Sequence, residues 1–233
     1  MEGALDTLAE QLSTLKAEGA NLLVLSGGYE GQSCHGLLGD DRQDRRRLYV
    51  TTESSVEKLN ALSRERRQPD RFAHVHVAAG ETRSAAARSA GGPGDDWTPA
   101  TVSPTKEETY SQVGDPTELT TLSRHVHEHL VRFESDRPNP GEIRLCFDSL
   151  DPVVDAVEKE RLEAFLRDLT TRVTLARGLA HYHLSVTAAK QVPDTIAPIF
   201  DGVIERRQTP EGPRQRWTLR ESGVQTDWIP IRR

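Results

Sequence analysis

Residues 21–33 decide the fold, and they read Asn-Leu-Leu-Val-Leu-Ser-Gly-Gly-Tyr-Glu-Gly-Gln-Ser. The apolar first half predicts a buried strand, and the glycine-rich second half predicts a loop that leads into a helix. Aligned with the phosphate-binding pattern G-x-x-x-x-G-K-[ST], Ser26 replaces the first glycine and Gly31 keeps the second. Gln32 replaces the lysine, and Ser33 keeps the magnesium-binding hydroxyl. Glutamine can donate a hydrogen bond, but it brings no charge to a phosphate.

These residues alone are equally compatible with an ordinary strand-to-helix turn. Two later segments favour the phosphate loop. Residues 47–55 predict a short buried strand that ends near the carboxylate of Glu53 and is followed by a helix. Residues 142–150 predict another apolar strand, which ends in Asp148-Ser149, the form of a Walker B element.

With these three segments the chain resembles the RecA/KaiC superfamily of P-loop ATPases, and most closely the single-domain KaiC-like proteins of archaea. In that family the strand after the phosphate loop ends in Thr-x-Glu-Glu, whose acidic residues polarise the attacking water. Residues 51–54 read Thr-Thr-Glu-Ser, so the first carboxylate is retained and the second is lost. The resemblance implies a catalytic position for Glu53 and magnesium-ligand positions for Ser33 and Asp148. Without the lysine, we interpret Glu53 as vestigial.

The resemblance also implies ATP and Mg²⁺ as the cofactors of the ancestral site. It extends over about residues 20–231, since residues 198–205 resemble the family's Asp-Gly-Val-Ile strand and residues 214–231 its C-terminal hairpin. The family's Gly-Gly-x-Pro lead-in and its C-terminal Lys-x-Arg-Gly are absent. The second motif normally reaches a neighbour's nucleotide, so its loss weakens the expectation of a KaiC-like hexamer. The implied nucleotide contacts come from Gly27, Gly28, Gly31, Gln32 and Ser33.

The alternation of helical and strand patterns predicts an α/β fold, a three-layer sandwich with a mainly parallel central sheet. At 233 residues the chain can form a single domain. Ligands of such sheets bind beyond the carboxyl ends of the strands, where the loop, Glu53 and Asp148 would gather. The predicted elements are an N-terminal helix within 1–19, strands at 22–25, 48–52, 72–78 and 183–188, helices at 56–66, 116–134 and 153–177, a surface excursion with weak local structure at 80–114, and a C-terminal hairpin at 214–231.

Composition indicates a habitat and a compartment. Five of the 30 basic residues are lysines and the chain has one methionine, a pattern that favours a GC-rich, haloarchaeal genome, although the net charge of −6 is small for a salt-adapted protein. No apolar run approaches the roughly 18 residues of a membrane span, and no basic-then-apolar signal begins the chain, which predicts a cytoplasmic protein without membrane contact. Cys34 and Cys146 are predicted to be reduced, mostly buried thiols.

Histidines offer two candidate metal sites. His125, His127 and His129 recur on a predicted helix, and we interpret them as a solvated face because no carboxylate or cysteine cluster completes a metal site. His181 and His183 flank a tyrosine at the start of a predicted strand, and we interpret them as ordinary strand residues.

Arginine and tryptophan offer two candidate interaction surfaces. Residues 45–47 are three arginines before a strand, and the acidic balance of the chain favours a solvated edge over a nucleic-acid partner. Trp217 and Trp228 lie in the terminal hairpin and are predicted to brace the sheet edge, with a partner-facing aromatic patch as the alternative.

Three function classes remain. The favoured one is a non-catalytic or weakly nucleotide-binding regulatory protein that acts through contacts with a protein partner or with further copies of itself. The second is a slow ATPase in which an arginine supplies the missing charge. The third is a RecA-paralogue-like accessory factor in DNA transactions, which the lack of a basic DNA-tracking loop disfavours. A single electrostatic donor at a desolvated phosphate site contributes about 2.7–4 kcal/mol, so the loss of the lysine favours the first class.

Overall fold

The computed structural model describes residues 2–27, 37–39, 44–52, 68–78, 109–192 and 194–231. The predicted helix 56–66 lies outside them. The described helices are α1 (Glu2–Glu18), α2 (Leu119–Glu134), α3 (Asp151–Ala156), α4 (Lys159–Leu175) and α5 (Val186–Ala189), with 3-10 turns at Pro69–Arg71 and Ala197–Ile199. The described strands are β1 (Ala20–Gly27), β2 (Arg46–Thr51), β3 (Phe72–Val77), β4 (Tyr110–Val113), β5 (Ile143–Phe147), β6 (Leu179–Ser185), β7 (Gly202–Thr209), β8 (Gly212–Leu219) and β9 (Ile229–Pro230).

The described strands form a single sheet in the order β4-β3-β2-β5-β6-β1-β7-β8-β9. Every pair from β4 to β7 is parallel, whereas β7–β8 and β8–β9 are antiparallel. The predicted α/β fold with a mainly parallel sheet and an antiparallel C-terminal extension is therefore confirmed.

One face of the sheet carries the main core. Phe147, Tyr182 and Leu23 are register neighbours on β5, β6 and β1, and they are buried together with apolar residues of α2 and α4. Helix α2 presents its apolar side through residues at helical spacing, namely Leu119, Leu122, Val126, Leu130 and Phe133. Most side chains on this face are apolar, so their burial stabilises the fold through the hydrophobic effect, and the buried Asn21 is hydrogen-bonded to the Tyr182 hydroxyl and the Thr170 carbonyl.

The opposite face is covered in part by α1. Leu8 of this helix packs with Val24, Ile204, Trp217 and Leu219 in a separate apolar cluster. Helices therefore lie on both faces of the sheet, which gives the three layers that the sequence predicts. Further along the same face, towards β5 and β6, histidine, arginine and cysteine side chains replace apolar ones.

Two predicted elements have different limits. The limits of the strand predicted at 183–188 are wrong, because β6 begins at Leu179 and ends at Ser185. The Ser185 hydroxyl accepts a hydrogen bond from the Ala188 amide at 3.0 Å and so caps the short helix α5. The predicted helix 153–177 is divided into α3 and α4, because Val157 has extended backbone angles.

Most of the predicted excursion 80–114 lies outside the described residues. Its end differs from the prediction, because Tyr110–Val113 forms β4, parallel to β3 at the edge of the sheet. Val113 is fully buried there. A four-residue strand with two polar central residues carries too little alternation to be recognised in sequence. Among the described residues, no helix combines the length and apolarity needed to cross a bilayer.

Candidate functional site

The candidate site lies at the carboxyl edge of the parallel strands. Strands β2, β5, β6 and β1 are adjacent and parallel, so their carboxyl ends share one edge of the sheet. Ser26 and Gly27 end β1 there, Thr51 ends β2, and Asp148 directly follows β5. The remaining predicted residues, Gly28, Gly31, Gln32, Ser33 and Glu53, lie outside the described part of the chain, so their roles stay predictions.

Asp148 is held by the end of β2. Its Oδ1 atom accepts hydrogen bonds from the Thr52 amide at 2.8 Å and from Thr52 Oγ1 at 3.2 Å. The Asp148 amide in turn donates to the Val50 carbonyl at 2.9 Å. Thr52 directly precedes Glu53 in sequence, so these bonds place Asp148 beside the chain that enters the predicted catalytic position. One oxygen of Asp148, the predicted magnesium ligand, thus joins the ends of two neighbouring strands.

The turn after β5 is connected to β6 by a second carboxylate. Asp151 Oδ1 accepts a hydrogen bond from the Ser185 amide at 2.9 Å, and the Leu150 amide donates to the His183 carbonyl at 2.7 Å. Sequence reasoning missed Asp151 and Ser185. The pair Asp151-Pro152 could have indicated the start of α3, since proline is favoured in the first turn of a helix.

Two arginines lie beside the start of the predicted phosphate loop. In the parallel pairing of β1 with β7, Ser26 is opposite Arg206 and Gly27 is opposite Arg207. Arg206 is 5% exposed, so its charge is largely removed from water at this edge. Sequence reasoning missed this position because the pairing of β1 with β7 joins distant parts of the chain.

Polar contacts continue towards β3. Thr51 Oγ1 lies 2.8 Å from His74 Nε2 and 3.2 Å from His76 Nδ1. His74 is 1% exposed and packs edge-on against Tyr110, with ring centroids 5.3 Å apart. The alternating His-Val-His-Val sequence of β3 places both histidines on the polar face of the sheet.

The histidines of α2 do not share one environment. His125 Nδ1 lies 3.2 Å from Glu128 Oε2 on the exposed side of the helix. His129 is 5% exposed, and its Nε2 atom lies 3.0 Å from Ser111 Oγ on β4. The prediction of a solvated face is therefore wrong for His129, because the edge strand β4 covers it.

The arginines at 45–47 are bound within the protein. Arg45 Nη1 donates to the Gly141 carbonyl at 2.9 Å, and Arg47 Nη2 donates to the Gly39 carbonyl at 3.1 Å. Arg46 pairs with Glu142 at 3.2 Å. The predicted solvated edge is thus wrong for these side chains, which fix the loops before β2 and β5 and are only partly accessible to a polyanion.

A family model described as a family of unknown function, DUF7504, matches residues 19–206 of this chain. The chain belongs to the DUF7504 family. No curated protein matches it. The structure is similar to that of a KaiC-like protein from the hyperthermophilic archaeon Pyrococcus horikoshii, with 13% sequence identity and a TM-score of 0.49 over 87% of this chain and 80% of that chain. The part shared with DUF7504 runs from just before β1 into β7 and contains every candidate site residue named above except Arg207.

The hydrogen-bonding role of Asp148 in this DUF7504 protein can be tested directly by substitution. We expect Asp148→Ala to lower the free energy of unfolding by about 1–3 kcal/mol, because the Thr52 amide loses its acceptor, whereas Thr52 Oγ1 keeps the Ser149 carbonyl at 3.0 Å. Asp148→Asn keeps an oxygen acceptor and should recover most of this loss. Urea unfolding measures both, with Asp155→Ala on the exposed side of α3 as the matched control. A loss in Asp148→Asn as large as that in Asp148→Ala would contradict the hydrogen-bonding role.

Proposed function

We propose that this DUF7504 protein is a degenerate RecA/KaiC-like protein that binds nucleotide weakly or not at all, does not hydrolyse ATP, and acts through protein contacts. The observation that carries the proposal is the engagement of Asp148 Oδ1 with Thr52, at 2.8 and 3.2 Å, which commits one oxygen of the predicted magnesium ligand to contacts within the protein. In the sequence of the predicted loop, Gln32 replaces the phosphate-neutralising lysine. Phosphoryl transfer depends on positioning and charge stabilisation, so both changes act against turnover.

A partly exposed aromatic surface on the C-terminal hairpins supports the protein-contact role. Arg207 Cζ lies 3.9 Å and Arg216 Cζ 5.0 Å from the centre of the Trp228 ring. Arg216 is also paired with Glu205 at 2.6 Å, which restrains the stack. Tryptophan and arginine are enriched among the residues that dominate binding energy at protein interfaces. We call Arg207, Arg216 and Trp228 the hairpin patch.

ATP binding is the first measurement. Calorimetry with ATP and Mg²⁺, at low salt and again at the high salt that a halophilic protein would need, should give no dissociation constant below about 10 µM, which corresponds to a binding free energy near −7 kcal/mol. We expect Gln32→Lys to tighten binding, because it restores the missing cation to the loop. Micromolar or tighter binding by the wild-type chain would contradict the proposal.

A slow ATPase is the second candidate, and the position of Arg206 opposite Ser26 favours it. In this case Arg206 supplies the charge that the loop lacks. Purified protein would then hydrolyse ATP faster than a Glu53→Gln variant, and Arg206→Gln would abolish the difference. Equal rates for the wild-type and Glu53→Gln chains would support the non-catalytic proposal.

A further inference from the structure

Three metal-binding side chains converge on the polar face of the sheet. Cys146 on β5 and His181 on β6 are direct register partners, and His183 follows two residues later on the same face. One potential ligand atom from each residue lies within 4.8 Å of the others. The two imidazole rings meet edge to face, with centroids 5.2 Å apart.

The three side chains are enclosed. Cys146 is 1%, His181 2% and His183 9% exposed. Their register neighbours on the same face are Tyr49, beside Cys146, and Leu22 and Val24, beside the two histidines. Little water could reach a cation bound among such neighbours, and the low local dielectric would strengthen its electrostatic attraction to a thiolate.

The alternation along β5 and β6 separates this cluster from the main core. The opposite face of the same two strands is apolar, with Leu145, Phe147, Ala180, Tyr182 and Leu184 all buried in the main cluster. Buried imidazoles are costly core residues unless polar contacts or ligation replace their hydration, whereas a buried thiol packs as a small apolar group. Metal ligation would use a donor atom of all three side chains at once.

We propose that Cys146, His181 and His183 form a site for a d-block cation of the zinc class. Sulfur and imidazole nitrogen are the donors that Zn²⁺ prefers, whereas Mg²⁺ prefers oxygen. On binding, the Cys146 thiol releases its proton, a bond forms between the sulfur and the cation, and both histidines ligate through neutral nitrogens. Three protein donors leave one position of a tetrahedral cation open to water or to another ligand. None of the three ligands belongs to the proposed nucleotide loop, so this proposal does not depend on the proposed function.

The test uses the full chain, stripped with a chelator and titrated with Zn²⁺, and separately with Co²⁺ as a spectroscopic probe. We expect one equivalent of metal per chain and a thiolate-to-cobalt charge-transfer absorption band. The band should vanish in Cys146→Ser, and both His181→Gln and His183→Gln should weaken binding by at least the roughly 10-fold loss that follows removal of an outer-shell partner. His127→Gln, on the exposed side of α2, is the matched control and should bind like the wild type.

Substoichiometric binding, or a charge-transfer band that persists in Cys146→Ser, would overturn the proposal. Cys146→Ala is the second variant should the serine disturb the core, because cysteine packs there as a small apolar side chain. Thermal unfolding with and without Zn²⁺ completes the test. Zn²⁺ should raise the melting temperature of the wild-type and His127→Gln proteins but not that of His183→Gln, and an equal rise in all three would count against the site.

Discussion

Replacing Trp217 by alanine is expected to lower the free energy of unfolding by about 3–5 kcal/mol, the usual cost of removing a buried tryptophan. Trp217 is 8% exposed and packs with Leu8 of α1 and with Val24 and Ile204 of the sheet. Its removal would leave a cavity between the N-terminal helix and the C-terminal hairpins. Denaturant unfolding monitored by circular dichroism measures the loss.

Trp228→Ala is the matched control for this substitution. Trp228 lies in the hairpin patch and is partly exposed, so the loss of its arginine contacts should cost only about 0.5–1 kcal/mol. If the protein acts through this patch, Trp228→Ala should abolish its activity in cells while leaving the protein folded. A loss of stability in Trp228→Ala equal to that in Trp217→Ala would contradict the different roles assigned to the two side chains.

The second large effect is a loss of stability in acid that depends on His129. Burial, and to a lesser degree the charge of Arg132, lowers the pKa of His129 to about 4. The unfolded chain keeps the ordinary histidine pKa of about 6.5, so between pH 6.5 and 4 it binds a proton that the folded protein does not. The contribution of His129 to stability is therefore complete above pH 6.5 and is lost as the pH falls towards 4, by about 3 kcal/mol in all.

His129→Gln should flatten this dependence. Glutamine can keep a hydrogen bond to Ser111 without titrating, so the free energy of unfolding should change less between pH 7 and pH 4 than in the wild type. The comparison is made by urea unfolding at both values, with His127→Gln as the control on the same helix. Equal pH dependence in His129→Gln and the wild type would show that His129 is not the group responsible.

The layered fold could be predicted because its patterns are local. The apolar spacing of α2 and the run of β1 identify those elements without knowledge of their partners. The limits of β6 could not be predicted in this way, because its first residues are specified by pairing with β1 and its last by the cap that Ser185 forms. Tertiary contacts fixed what local preference left open.

The candidate site was predicted less completely than the fold. Asp148 was found because it ends an apolar strand, a local signal. Arg206 was missed because it meets Ser26 only through the pairing of β1 with β7. The proximity of Cys146 to His181 was missed for the same reason. It arises from the register between β5 and β6, and the sequence of neither strand alone indicates it.

The place of β1 inside the sheet has a consequence for synthesis on the ribosome. Ala20 pairs with Leu179 on one side, and Leu22 pairs with Gly202 on the other. At 5–20 residues per second, β1 therefore waits on the order of ten seconds as an unpaired apolar strand before either neighbour emerges. By contrast, β2, β3, β4 and β5 can pair as soon as residue 147 is available. The nascent chain would assemble strands β2 to β5 first, and β1 would stay exposed to chaperones until β6 and β7 have been synthesised.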